Sequence, residues 1–190
     1  MKPIKVIFAV LIVVVCTTFF IATPRNAQAA PLMGSWFFED DMESDWSPWS
    51  CWEGPGTNCY SVETSSNNYF VLEANTLNSM INLGRRVTIG NYDYNTRNCK
   101  ATIFIKRNSG SAPFTGQLEV IQYNTLNYLS IKPFSYTPLP FPLNNNWATV
   151  TTASFTLPSS GDLFIRLVFN NPTHSAKSLQ VDLLRVSCTW

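Results

Sequence analysis

The chain has 190 residues, with 13 basic residues against 12 acidic ones, a single histidine and a net charge of +1. Nothing in that balance argues for a nucleic acid partner, which would need a basic stripe, and the length suits one domain with a sizeable core. Charged residues are few, and Thr, Ser, Asn, Val, Ile, Phe and Tyr are abundant, a composition for pleated, half-buried strands and polar turns rather than helices.

The first element is not structural. Lys2 and Lys5 precede an apolar run from Val6 to Ala22, and a polar stretch then closes on Ala27-Gln28-Ala29, a small-x-small pattern. Residues 1–29 therefore read as a cleavable signal peptide. A retained membrane anchor is the alternative, but the run is close to the lower spanning limit of about 17 residues and no basic stop-transfer cluster follows. Cys16 follows Val14 and Val15, where a lipoprotein signal wants small residues. Cleavage removes Lys2, Lys5 and Arg25 and leaves residues 30–190 with net charge −2. The expected product is one secreted, extracellular β-sandwich domain with no membrane attachment.

Within residues 30–190, no stretch holds a 3.6-residue apolar period for three turns, whereas short alternating runs recur. Candidate strands come first at Ser35–Glu39, Tyr60–Thr64, Tyr69–Glu73 and Ser79–Leu83. Lys100–Arg107 alternates clearly, with Ala101, Ile103 and Ile105 on one side. Gln117–Tyr123 and Tyr128–Lys132 read as a hairpin turning near Asn124-Thr125. Pro133–Asn146, rich in proline and aromatics, reads as an ordered loop at a sheet end or edge. Trp147–Leu157 is Thr-rich and β-branched. Leu163–Phe169 is apolar on both sides, as a central covered strand is. Leu179–Cys188 closes the chain, and its apolar parity switches between Val181 and Leu184, which predicts a bulge. Gly, Asn, Ser and Pro clusters separate these runs. About ten short strands point to an antiparallel two-sheet sandwich.

Cys51, Cys59, Cys99 and Cys188 remain after cleavage, an even number in a compartment that permits disulfides. Gly54-Pro55-Gly56 can turn the chain back between Cys51 and Cys59, so that pair is favoured, and Cys99–Cys188 follows. No Cys-x-x-Cys pair suggests zinc instead.

Two pieces of the chain together resemble carbohydrate-binding modules of the jelly-roll type, within the galactose-binding-like group. The first is Phe38-Glu39-Asp40-Asp41-Met42-Glu43-Ser44 followed by Trp46, similar to the acidic-aromatic-acidic opening of such modules, with Met42 in an aromatic's usual place. The second runs from Trp147 through Ser154–Pro158 and Leu163–Leu167 to Val181–Val186 and resembles their closing strands. The resemblance covers about half of the mature chain and implies a jelly-roll fold. It also implies one structural calcium ion held by Asp41, Glu43 and Asp182, since acids gathered from both chain ends suit a hard cation. The rival reading is a solvated acidic turn from Glu39 to Asp45, with Asp182 paired inside the protein.

Two aromatic groups are candidate ligand sites. Trp49, Trp52 and Tyr60, with Glu53 and Asn58, surround the expected Cys51–Cys59 loop and would make a ring platform for a sugar; the alternative is that one or two of these tryptophans cap the core. Tyr123 and Tyr128, near Gln122 and Asn127 and rimmed by Phe134, Tyr136 and Phe141, would place rings on a sheet face; the alternative is an ordinary cross-strand pair. Catalytic signals are weak. His174 lies in a polar loop, no nucleophile elbow, zinc motif or phosphate loop occurs, and a hydrolytic carboxylate pair would draw on the strand acids Glu73 and Glu119. The sequence favours a noncatalytic module for a glycan or cell-surface polymer. A structural or protein-interaction role at the cell surface comes second, and a small glycoside hydrolase third.

Overall fold

Alternation of side chains between the core and the outward faces of two sheets organises the domain. The computed structural model describes residues 36–42, 48–65, 67–89, 98–111, 113–137, 146–157 and 162–189, and among them there is no helix. The expected signal peptide, Glu43, Trp46 and Phe141 lie outside the described residues. The strands are β1 (Trp36–Asp40), β2 (Trp49–Glu53), β3 (Thr57–Val62), β4 (Tyr69–Ala74), β5 (Ser79–Thr88), β6 (Asn98–Ser109), β7 (Phe114–Gln122), β8 (Asn127–Tyr136), β9 (Ala148–Thr151), β10 (Asp162–Asn171) and β11 (Lys177–Thr189).

They form two antiparallel sheets. One has six strands in the order β3-β4-β11-β6-β9, with β1 added along β11; the other has five in the order β2-β5-β10-β7-β8. Residues of alternate parity meet between the sheets. Ile81, Leu83 and Val87 of β5, Leu163, Ile165, Leu167 and Phe169 of β10, and Ile103 and Ile105 of β6 are all buried. Such burial of large apolar side chains is the main force holding the sheets together.

The bulge expected in the last strand lies where β11 shifts register against β6, between Asp182 and Leu184. Leu183 there has a φ of 44°. One extra residue in this left-handed conformation lets Val181 and Leu184 both face the core.

Several strand limits differ from the sequence expectation. β2 was expected to be loop. β5 runs past Leu83 to Thr88, because Gly84, Arg85 and Arg86 break the apolar pattern without breaking the pairing with β10. β8 continues through Pro133 to Tyr136, a segment expected to be loop. It is an edge strand, so the missing N–H of Pro133 costs no ladder bond on its open side. The strand expected over Trp147–Leu157 is shortened to β9, with Phe155 contributing an isolated bridge to Cys99.

Cys51 is bonded to Cys59 and Cys99 to Cys188. Cys51 is on β2 and Cys59 on β3, so this bridge fastens one sheet to the other at an edge. A tight turn between them places Gly56 at a φ of 71°, a conformation that glycine adopts without steric cost. Cys99 and Cys188 sit directly opposite each other on β6 and β11, within one sheet.

A sheet face as candidate ligand site

The outward side of the five-stranded sheet carries the candidate site. Each strand contributes residues of the parity opposite to the core. In register, Phe164 of β10 lies between Arg86 of β5 and Ile121 of β7, Arg166 lies between Gly84 and Glu119, and Trp52 of β2 lies opposite Asn82 of β5. Of these, Trp52, Arg86, Ile121, Phe164 and Arg166 line an open depression of about 780 Å³, together with Tyr123.

The rings stand against one another. Trp52 and Phe164 meet edge to face at 5.4 Å between centroids, and Tyr123 lies 6.2 Å from Phe164. Gly84 makes this possible, since a β-carbon there would fall 2.2 Å from Phe164 Cζ and 2.8 Å from Trp52 Cζ3. Trp52, Tyr123 and Tyr128 keep 46%, 42% and 52% of their surface exposed. Trp52 and Tyr128 lie on opposite edge strands of this sheet, whose backbones are four inter-strand steps or about 19 Å apart.

Polar groups fill the spaces between the rings. Arg166 Nε donates to Glu119 Oε2 at 2.5 Å, and a terminal Arg166 nitrogen donates to the Tyr128 hydroxyl at 2.9 Å. Gln117 donates to the other oxygen of Glu119. Glu119 is almost fully buried, and a buried carboxylate is tolerable only when its oxygens are paired in this way. Burial works against the charged form of Arg166, but the hydrogen bond and charge of Glu119, with a smaller contribution from Tyr128, raise its pKa above the ordinary value. Arg86 is ion-paired with Asp162 and lies over the Tyr123 ring, 4.4 Å from its centroid.

The aromatic platform expected around the Cys51–Cys59 loop is not assembled. Trp49 is buried, packs 5.6 Å from Phe70 and donates its indole N–H to Asp40. The reason is parity: Trp49 and Trp52 are three positions apart on one strand and so point to opposite sides. Tyr60 and Asn58 lie on the outward side of the other sheet, where both hydrogen-bond to Glu73. Burial and the neighbouring Glu73 carboxylate push the Tyr60 hydroxyl pKa upward. Glu53 is spent on the turn, where its carboxylate accepts the Cys59 N–H at 2.6 Å. Of that group, Trp52 alone reaches the depression, where it joins Tyr123. Tyr128 borders it through Arg166. Phe134 and Tyr136 turn inward and pack against the core.

The remaining acids are placed as follows. Asp182 accepts from Asn67 Nδ2 at 3.1 Å and from the Leu183 N–H at 2.6 Å. Asp40 is tied to Arg85, Trp49 and the Met42 N–H. Asp41 is exposed, and among the described residues no group of three or more acids, histidines and cysteines is gathered as a metal site. Both oxygens of Asp182 accept amide N–H groups, and Glu43, the third residue of the expected calcium site, lies outside the described residues. Glu73 and Glu119 face outward from different sheets and cannot flank one bond. His174 is exposed in the loop after Asn171.

No family model and no curated protein sequence matches this chain. Solved structures do match in fold. A family 11 carbohydrate-binding module from Clostridium thermocellum, in complex with a β-1,3-1,4-mixed-linked tetrasaccharide, is similar over 80% of this chain and 95% of its own, at 14% identity and a TM-score of 0.51. TmCBM61, in complex with β-1,4-galactotriose, is similar over 75% and 89%, at 9% identity and a TM-score of 0.52. The fold is a jelly roll of the carbohydrate-binding-module type. The K1 cleaved adhesin domain of Lys-gingipain from Porphyromonas gingivalis W83 shares it over 80% of this chain and 97% of its own, at 13% identity and a TM-score of 0.53. Identities this low speak for the jelly roll and not for a ligand.

Phe164, Arg86, Arg166 and Gly84 were not among the residues expected at a site. Phe164 and Arg166 are hidden in a run that reads as core. Gly84 carries the one available signal, because a glycine inside a strand marks a close approach of other atoms.

Proposed function

We propose that this chain is a noncatalytic glycan-binding module whose ligand lies across the outward face of the five-stranded sheet. The observation that carries the proposal is the set of exposed rings, Trp52, Tyr123 and Tyr128, on one side of one sheet with fixed hydrogen-bonding groups between them. Sugar rings stack their C–H faces on aromatic rings, and their hydroxyls need polar partners. The strands fix the rings before binding, which keeps the ordering cost low. A face that crosses five strands, about 19 Å between its edge-strand backbones, fits a chain of several sugars better than a monosaccharide. Support also comes from the oligosaccharides bound by the two carbohydrate-binding modules of similar fold. Against catalysis stands the placement of Glu73 and Glu119 on different outward faces, where no two-carboxylate hydrolysis can be built.

The same proposal puts the mature protein outside the cell, in keeping with its two disulfides. Protein recovered from the medium should begin at Ala30 and contain no free thiol among its four remaining cysteines.

The test is titration of the mature protein with a panel of soluble polysaccharides, followed by two variants. Trp52→Ala should weaken the best ligand by about thirtyfold, the effect of losing a ring worth about 2 kcal/mol. Tyr60→Ala, on the other sheet, should leave affinity unchanged. Equal effects of the two variants would sink the assignment of this face. A protein-contacting surface is the second reading, favoured by Met80 and Ile131, which are also exposed on this side. It gains if no polysaccharide binds.

A further inference from the structure

The charges on the proposed face are arranged in layers. Arg85, Arg86 and Arg166 line the depression, and none of its lining residues among those described is Asp or Glu. Each arginine is nonetheless paired: Arg85 with Asp40, Arg86 with Asp162 and Arg166 with Glu119. In two of these pairs the carboxylate is clearly the deeper member. The side chain of Arg86 is 54% exposed against 13% for Asp162, and that of Arg166 is 27% exposed against 2% for Glu119. A ligand therefore meets guanidinium groups, with the compensating acids behind them.

A guanidinium carries five N–H donors in a planar fork. Arg86 engages Asp162 through Nε and one terminal nitrogen, which directs its remaining terminal nitrogen away from that contact. The Tyr123 ring beneath holds the plane of the fork. A negative group on a sugar lying against Tyr123 and Phe164 would approach the outer layer of this arrangement and meet N–H donors before any carboxylate. A cationic sugar would meet the same guanidinium groups and be repelled.

Resting on the glycan reading above, we propose that this face selects an anionic glycan, a chain carrying an oxyanion on its sugar rings, with Arg86 as the group that receives it. The oxyanion can be a uronate carboxylate or a sulfate ester. Both accept paired N–H donors from an arginine.

The experiment uses the mature protein and three polymers: polygalacturonate, the same polymer after reduction of its carboxyl groups to hydroxymethyl, and dextran sulfate. Calorimetric titrations at low and raised sodium chloride should give about tenfold tighter binding to the polyuronate than to its reduced form, the size of one charge-assisted hydrogen bond. The preference should shrink with salt. Tight binding to dextran sulfate alone would assign the oxyanion to sulfate. The double variant Arg86→Gln/Asp162→Asn removes the pair without leaving a lone acid, and its melting temperature checks the fold. It should bind polyuronate and reduced polymer alike.

Equal affinity of the unaltered protein for the two galactose-based polymers, with dextran sulfate no better, overturns the selectivity and leaves the glycan reading standing. A preference for an anionic polymer that survives in the folded double variant overturns the role of Arg86. Failure of all three polymers, together with failure of the wider polysaccharide panel, overturns both readings.

Discussion

Replacing Gly84 by alanine separates the ligand face from the stability of the fold. A β-carbon at this position would lie 2.2 Å from Phe164 and 2.8 Å from Trp52. Carbon atoms pack at roughly 3.5–4.0 Å, so both rings must swing away. The cost to folding is moderated by two circumstances. Alanine is favoured over glycine inside a strand by roughly 0.5–1 kcal/mol. The rings also border an open depression and have room to move, so an overpacking cost of about 1–3 kcal/mol falls toward its lower end. The net effect on stability should be a loss of about 0–2 kcal/mol. Binding has no such compensation, because the displaced rings are the proposed contact surface. Loss of the edge-to-face pair should weaken the best glycan by about 2 kcal/mol, or thirtyfold. Urea denaturation and calorimetric titration on the same preparation read the two quantities. A Gly84→Ala protein with native affinity would refute the claim that the Trp52–Phe164 pair forms the contact surface.

The two disulfides should differ in value. Their partners are 89 and 8 residues apart, so the loop-entropy model gives about 4–5 kcal/mol for Cys99–Cys188 and about 2–3 kcal/mol for Cys51–Cys59; alanine double variants with equal urea midpoints would contradict this ordering. Lys177 is almost fully buried, donates to the Pro113 carbonyl, and has its pKa lowered by burial from the ordinary 10.5. The unfolded chain then holds the proton more tightly, so Lys177 makes stability rise with pH between the folded pKa and 10.5. Tyr60, with its raised pKa, acts oppositely above pH 10, where stability falls as the unfolded chain ionises first. The melting temperature of the parent protein should rise relative to that of Lys177→Met as pH increases over this range, and a constant difference would deny the lysine this effect. Both oxygens of Asp182 already accept amide N–H groups, so a chelator should leave the melting temperature unchanged; a clear drop restored by calcium would support the ion expected at Asp41, Glu43 and Asp182.

Period-two alternation made the fold class readable, since side chains of successive strand residues point to opposite sides. Lys100–Arg107 and the parity switch near Leu184 are the clearest cases, and each has its counterpart in β6 and in the bulge of β11. The site was less legible, for the same reason applied where no strand was expected. With residues 49–53 taken as loop, Trp49 and Trp52 could be placed side by side; once they form β2, one must enter the core and the other must face out. Phe164 and Val168 gave β10 the look of a strand covered on both sides. Their positions are outward, and Phe164 belongs to the ring cluster. The arginine–acid pairs could not be read at all. Arg85 finds Asp40 of the other sheet across 45 positions and Arg166 finds Glu119 of the neighbouring strand across 47, contacts set by tertiary arrangement rather than by local pattern.

These pairs also explain why the face can be rigid without being a large source of stability. Ion pairs near a surface contribute roughly 0–1 kcal/mol, and burying Glu119 has a desolvation cost that Arg166 and Gln117 only offset. Their consequence is positional. Arg85 connects β5 to Asp40 of β1, Arg86 connects β5 to Asp162 of β10, and Arg166 connects β10 to Glu119 of β7. Arg86 and Arg166, which look into the depression, thus cross-tie its strands, and Arg85 ties β5 to the other sheet. A guanidinium already held on one side by a carboxylate and beside a ring loses little freedom when a ligand arrives. Removing one such acid should therefore damage recognition more than folding, because the arginine would keep its charge and lose its direction.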